Sequence, residues 1–124
     1  MTQQQASSGS AHVCTDIHAH IAPLAFLQEV KRSASSFGVE VEETPTGHAI
    51  TFPGLPRLRP AGGGLCDTED RAGWMESNGV DRQILAAWLD IQGYTLPKDI
   101  EVTWVRLLNE HISQIASDSG GRYG

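Results

Sequence analysis

The sequence is poor in cysteine, in long apolar runs and in basic residues. Cys14 and Cys66 are its only cysteines, and they form no CxxC or zinc-finger spacing. No apolar run approaches the roughly 18 residues that a membrane span needs. The formal net charge is −6, and no basic patch or basic helix face is visible, which argues against nucleic acid or an anionic membrane as partner. We expect both cysteines to be reduced thiols in the cytoplasm, where they act as small buried hydrophobes.

Hydrophobic residues make up 40% of the chain, which is enough for one small domain with its own core. The opening segment, 1–11, has neither basic residues nor an apolar stretch, so we do not expect it to be a signal peptide. We expect 1–11 to be a flexible lead-in. The domain is expected to cover 12–124.

The order of local patterns predicts an α/β protein. The predicted elements are a strand over 12–18, a helix over 22–36, a β-hairpin from 39–44 and 49–52, a loop over 53–65, a helix ending at Ser77, a strand over 80–88, a helix over 98–117 and a loop-like tail over 118–124. A strand, helix, strand, helix order implies parallel strands joined by crossovers.

Turn, cap and periodicity signals carry most of these assignments. Pro45-Thr46-Gly47 is a turn signal within the hairpin, Asp67 can cap the following helix, and Asn78-Gly79 can end it. The run 80–88 is apolar on both faces, as a buried parallel strand is. Trp74 and Trp104 lie at helical spacing and are expected to pack in the core, whereas Trp88 can end its strand as part of a pocket.

The motif whose residues are best suited to metal binding or catalysis is Asp16-Ile17-His18-Ala19-His20, at the end of the first predicted strand. Alternation along a strand places His18 and His20 on the same face, about 7 Å apart. Neutral imidazoles are good ligands for Zn²⁺ and similar ions. Asp16, on that same face, is a candidate acceptor that steadies a histidine ring. The spacing alone is a weak signal, and its position at a strand end strengthens it.

Three segments in order resemble one family. TDIHAHIAPLAF is similar to the opening D-x-H-x-H-x-x-P pattern of the amidohydrolase-related family that includes aminocarboxymuconate-semialdehyde decarboxylase; the matching residues are Asp16, His18, His20 and Pro23. The stretch 66–88 resembles the family's R-x-x-x-M-[DE] helix, G-V turn and second strand, through Arg71, Met75, Glu76, Gly79 and Val80. LLNEHISQIA resembles a later family helix through Asn109 and Ala116. The resemblance covers nearly the whole chain.

The resemblance implies a metal-dependent (β/α)₈ barrel of the amidohydrolase superfamily. This chain would supply its first two strands with their helices and a hairpin insertion, since a complete barrel needs about 250 residues. The implied activity is a non-oxidative decarboxylation of an unsaturated or aromatic carboxylate. The resemblance also implies a divalent metal held by His18 and His20, with Zn²⁺ as the preferred identity. A lactone or amide hydrolase is the alternative, and the full-length enzyme is compatible with a homodimer.

The chain also departs from the family. The remaining metal ligands and the catalytic histidine have no counterpart, so we expect a truncated or partial sequence and weak metal binding. The spare candidates for a third ligand are His12, His48, His111, Asp16, Cys14 and Cys66, although surface exposure is the simpler expectation for His48 and His111. In the decarboxylases of the family that the chain resembles, an arginine of the hairpin region binds the substrate carboxylate. The strand 49–52 contains no arginine. Arg57 or Arg59 can replace it, although surface exposure is the simpler expectation for each. A non-catalytic chain that acts in assembly is the remaining alternative.

Overall fold

The computed structural model describes residues 12–124, so the expected lead-in over 1–11 lies outside the described residues. Within this range the chain forms a mixed α/β structure, as expected from the sequence. The elements are β1 (Thr15–Ile21), α1 (Leu24–Arg32), α2 (Ala34–Phe37), β2 (Glu40–Thr44), β3 (Gly47–Thr51), α3 (Thr68–Ser77), β4 (Arg82–Ala87) and α4 (Lys98–Asp118), with short 3₁₀ turns at Gly63–Leu65 and Leu89–Ile91. No helix in the described part of the chain has the length and hydropathy needed to cross a bilayer.

Strands β1 and β4 pair in parallel, which confirms the predicted crossover connection. Their register runs from Thr15 opposite Arg82 to Ile21 opposite Ala87. The register shifts between Asp16 and Ala19, because β1 contains one more residue there than β4. Such a bulge bends the strand and re-aims its side chains. This irregularity falls within the histidine motif.

The chain end adds a third parallel segment beside β4. Gly124 N donates to Gln83 O (2.9 Å), and Leu85 N donates to Gly124 O (2.8 Å). The prediction of a loop-like tail over 118–124 is therefore wrong for its last residues. The tail carries no strand pattern of its own, and its conformation follows from the unpaired edge that β4 offers.

The first strand is shifted along the sequence relative to its prediction. It covers Thr15–Ile21 rather than 12–18, and the earlier residues, from His12 to Cys14, are exposed. The alternation that predicted the strand is local, whereas its ends are set by where β4 offers backbone partners. The strand consequently extends one residue past His20.

The predicted helix over 22–36 is interrupted. Helix α1 ends at Arg32 and α2 begins at Ala34, with Ser33 between them. The Ser33 hydroxyl donates to Glu29 O (3.0 Å), as a serine that competes with the helix does. Gly38, in the left-handed region at φ 71°, ends α2.

The other predicted elements match the structure closely. The hairpin of β2 and β3 turns at Pro45-Thr46, and Asp67 Oδ1 caps α3 by accepting from Glu69 N (2.8 Å) and Asp70 N (3.2 Å). The predicted loop over 53–65 also adds one residue to the hairpin, because Ala61 forms an antiparallel bridge with His48. Gly47 and Gly62 allow this approach; a Cβ on either would lie 2.0 Å from a backbone oxygen.

Trp104 of α4 is the centre of the main core. It is fully buried, and three phenylalanine rings meet it edge to face at centroid distances of 5.1, 5.3 and 5.4 Å, those of Phe26, Phe37 and Phe52. Its indole N–H donates to Ile91 O (2.7 Å), so its polar atom is satisfied. The core joins α1, α2, the hairpin and α4. The packing predicted for Trp104 is confirmed.

Two burial predictions are wrong. Trp74 is 54% exposed, because α3 turns Arg71 and Met75 toward the sheet and carries Trp74 on its outer side. Strand β4 is covered on one face only: Gln83 is buried, whereas Ile84 is 40% exposed. An apolar run shows that a strand is compatible with burial on both faces, but burial also requires a helix or sheet packed against each face.

Candidate metal-binding site

The imidazoles of His18 and His20 converge near the carboxyl end of β1. Their Nε2 atoms lie 3.1 Å apart, with ring centroids 4.9 Å apart and ring planes at 79°. Two imidazole nitrogens that bind one tetrahedral Zn²⁺ at about 2.0–2.1 Å are separated by roughly 3.3 Å. The pair therefore already has nearly the spacing of two ligands on one ion. The predicted common orientation of the two rings is what the structure shows.

The His20 ring is oriented by the neighbouring strand. Its Nδ1 lies 3.3 Å from the carbonyl oxygen of Ala87, the last residue of β4. A carbonyl can only accept, so this contact favours the tautomer that has the proton on Nδ1 and the lone pair of Nε2 toward His18. Gln92 donates to the same oxygen (3.4 Å). A backbone acceptor on the far nitrogen is the usual partner of a metal-ligating histidine.

Asp16 does not have the role predicted for it. Its Oδ1 accepts from the main-chain N–H of His18 (3.1 Å), and its Oδ2 accepts from the side chain of Gln83 (3.2 Å). Neither oxygen receives a bond from a histidine ring. The bulge explains this difference, because it leaves the His18 N–H without a ladder partner on β4 and the nearby carboxylate takes it.

Arg71 of α3 lies buried beneath the same strands, at a position that no local pattern of the sequence predicts to be part of the site. Its Nη2 donates to His20 O (2.6 Å), and its Nη1 donates to Gln83 Oε1 (2.9 Å). Burial lowers the pKa of the Arg71 guanidinium, an effect partly opposed by Tyr123, Cys66 and Asp16. The only available signal was its place in the family motif, since its contacts are remote in sequence.

No third ligand joins the two histidines within residues 12–124, where no group of three or more His, Cys, Asp or Glu side chains is arranged to hold an ion. His111 of α4 instead lies 2.9 Å from Glu29 of α1, and His48 is buried in the hairpin. The predicted surface exposure of these two histidines is wrong for His48, because the bridge to Ala61 covers it.

Neither cysteine joins the histidine pair in a ligand group within residues 12–124. Burial raises the pKa of the Cys66 thiol to about 11, which disfavours the thiolate form that metals bind. The burial expected for Cys66 is confirmed. Cys14 is exposed at the approach to β1, contrary to the expectation of burial, because its segment precedes the paired part of the strand.

A cationic and aromatic pair lies at the same edge of the parallel sheet. The guanidinium carbon of Arg59 lies 5.0 Å from the centroid of the Trp88 ring, within the range of a cation–π contact. Trp88 directly follows β4 and is nearly buried. Its main-chain N–H donates to Ile21 O (2.9 Å) at the end of β1. Arg57, by contrast, points to Glu42 (3.2 Å).

Comparison with known proteins adds no relative: no protein-family model and no curated protein matches the chain.

Proposed function

We propose that this chain is the N-terminal part of a metal-dependent (β/α)₈-barrel enzyme of the amidohydrolase-related type, with His18 and His20 as two ligands of a divalent metal, Zn²⁺ first. The observation that carries the proposal is the 3.1 Å separation of the two Nε2 atoms. The His20 tautomer set by Ala87 supports it, because it leaves Nε2 available to an ion. Parallel strands with intervening helices are the repeating unit of such a barrel.

The proposed reaction is the non-oxidative decarboxylation of an unsaturated or aromatic carboxylate. The site would bind such a substrate through the metal and through Arg59, which rests on Trp88 at the same edge of the sheet. A guanidinium is a suitable bidentate partner for a carboxylate. The metal would act as a Lewis acid toward substrate oxygen. Arg59 is the observation that favours a carboxylate substrate over the neutral lactone or amide of the hydrolase alternative.

Metal titration of the chain tests the metal assignment. We expect one Zn²⁺ to bind weakly, since a catalytic zinc site normally has three protein ligands and two are present here. The binding heat should disappear in His18→Asn and in His20→Asn. His111→Asn is the matched control, because it removes an imidazole on α4 and should leave binding unchanged. Zinc binding that survives loss of both motif histidines would refute the assignment. Tight zinc binding by the wild-type chain would refute a site with only two protein ligands.

A second candidate is a non-catalytic chain that acts in assembly. Ile17 is 80% exposed on β1 and Ile84 is 40% exposed on β4, so apolar side chains of the parallel sheet lie open. A shallow groove of about 530 Å³ also follows α4 beside Val102, Val105 and Asn109. Open apolar faces of this kind mark interaction surfaces.

Hydrodynamics separates the two candidates. Sedimentation velocity over a concentration series should show whether the chain associates through these faces, with Ile84→Asp as the disrupting variant and Glu40→Gln, an exposed position on the hairpin, as a surface control. A monomer that unfolds cooperatively would argue against both an incomplete barrel and an assembly module. Association that Ile84→Asp abolishes without any effect on zinc binding would favour assembly.

A further inference from the structure

A chain of hydrogen bonds links Arg71 to both motif histidines. One arm is direct: Arg71 Nη2 donates to the carbonyl of His20 at 2.6 Å. The other arm begins with Arg71 Nη1 on Gln83 Oε1 (2.9 Å) and continues from Gln83 Nε2 to Asp16 Oδ2 (3.2 Å). It ends where Asp16 Oδ1 accepts the His18 N–H (3.1 Å). Both arms thus end on the backbone of the histidine pair.

The bulge makes this support necessary. A regular parallel ladder would fix the backbone of β1 through β4, but the register shifts between Asp16 and Ala19, where His18 lies. The His18 N–H is bonded to a side chain of its own strand instead of to β4. The direction of the His18 ring therefore depends on the Asp16 carboxylate, and Gln83 fixes that carboxylate from β4.

The burial of Arg71 is costly for the fold. The residue is only 7% exposed, and its Nε has no hydrogen-bond partner among the described residues. Within residues 12–124 no carboxylate forms an ion pair with the guanidinium, and Asp16, the acidic group of the linkage, is reached through Gln83. A buried charge with an unsatisfied donor is expensive, and an apolar side chain of similar volume often serves stability as well or better. A role in positioning accounts for a guanidinium here.

We infer that Arg71 is a positioning residue for the metal site: through its direct bond to His20 and through Gln83 and Asp16 to His18, it holds the β1 bulge in the shape that makes the two imidazoles converge. The effect of Arg71 on metal affinity rests on the proposed function. The convergence of the rings is a property of the metal-free chain and can be measured separately.

Two variants of the full chain test the linkage. Arg71→Met removes both arms with little change in length, and Gln83→Met removes only the arm to His18. In the metal-free chain, we expect the nuclear Overhauser contact between the two imidazoles to be lost in both variants. The Nδ1-protonated form of His20 should persist in Gln83→Met, because the bond to Ala87 remains, and should become mixed in Arg71→Met. Co²⁺ affinity, followed by its visible absorption, should fall by about 10- to 100-fold in either variant.

Met75→Ala is the matched control, because Met75 is buried on the same face of α3 and lies outside the linkage. It should lower the melting temperature while it keeps the ring contact and the Co²⁺ affinity. If Met75→Ala weakens the ring contact as much as Arg71→Met does, the role of Arg71 is general packing and the inference is overturned. Folded Arg71→Met and Gln83→Met chains that keep the ring contact would also overturn it. If the wild-type chain binds no Co²⁺, the metal proposal fails, and the ring contact still decides the role of Arg71.

Discussion

The Nδ1 atom of His20 lies 3.3 Å from the carbonyl oxygen of Ala87, so the last residue of one parallel strand sets the proton position on a ring of the other. His20 Nε2 then faces His18 Nε2 as an acceptor, and the 3.1 Å contact between them requires the proton on His18 Nε2. The tautomer pair that satisfies both contacts has Nδ1–H on His20 and Nε2–H on His18.

Zinc should change the tautomer of one histidine and not of the other. A metal on both Nε2 atoms displaces the proton of His18 to its Nδ1, whereas His20 already presents Nε2 without a proton. Two-dimensional correlation of ring nitrogens with ring protons, in mildly alkaline buffer with and without excess Zn²⁺, measures both. A His20 ring that is Nε2-protonated before metal addition would contradict this prediction and the role of Ala87.

Gly93→Ala should destabilise the fold by about 2–4 kcal/mol. Gly93 has φ 79°, and a Cβ there would lie 2.8 Å from Cδ1 of Trp104, the central core side chain. Gly54→Ala is the control, because Gly54 has φ 74° with no atom near its Cβ position, and its backbone strain alone should cost about 1 kcal/mol. Urea unfolding followed by tryptophan fluorescence gives both values. Equal losses in the two variants would show that Trp104 does not restrict Gly93.

The chain should lose stability in alkaline solution as pH rises toward about 11, the raised pKa of the Cys66 thiol. Burial disfavours the thiolate in the folded chain, whereas the unfolded thiol ionises earlier, so the unfolded state binds fewer protons over this range and the unfolding free energy falls. The expected loss is on the order of 2 kcal/mol. Below the ordinary thiol pKa, both states are protonated and the effect is absent.

Urea titrations across this pH range, with Cys66→Ala beside Cys14→Ala, check the assignment. Cys66→Ala should flatten the alkaline decline, and Cys14→Ala should leave it unchanged because Cys14 is exposed. Burial also raises the pKa of Tyr123, so a smaller decline should remain in Cys66→Ala and diminish in Tyr123→Phe. An alkaline slope identical in wild type and Cys66→Ala would show that the thiol is not the group involved.

The sequence by itself determined the elements that short-range forces define. Asp67 caps α3 through N–H groups two and three residues away, Pro45-Thr46 closes the hairpin, and the apolar stripe of α4 needs only its own periodicity. The placement of His18 and His20 on one face of β1 also follows from strand alternation, whereas the convergence of their rings depends on more distant contacts. Each of these signals acts within a few residues, so a linear pattern can reveal it.

The tertiary structure decided whatever depends on a distant partner. The limits of β1 follow from its pairing with β4; the His20 tautomer depends on Ala87, which lies 67 residues away, and the support from Arg71 comes from 51 residues away. The exposure of Trp74 depends likewise on which face of α3 meets the sheet. A hydrogen bond or a burial contact between remote residues leaves no local spacing in the sequence, because its geometry exists only once the strands have paired.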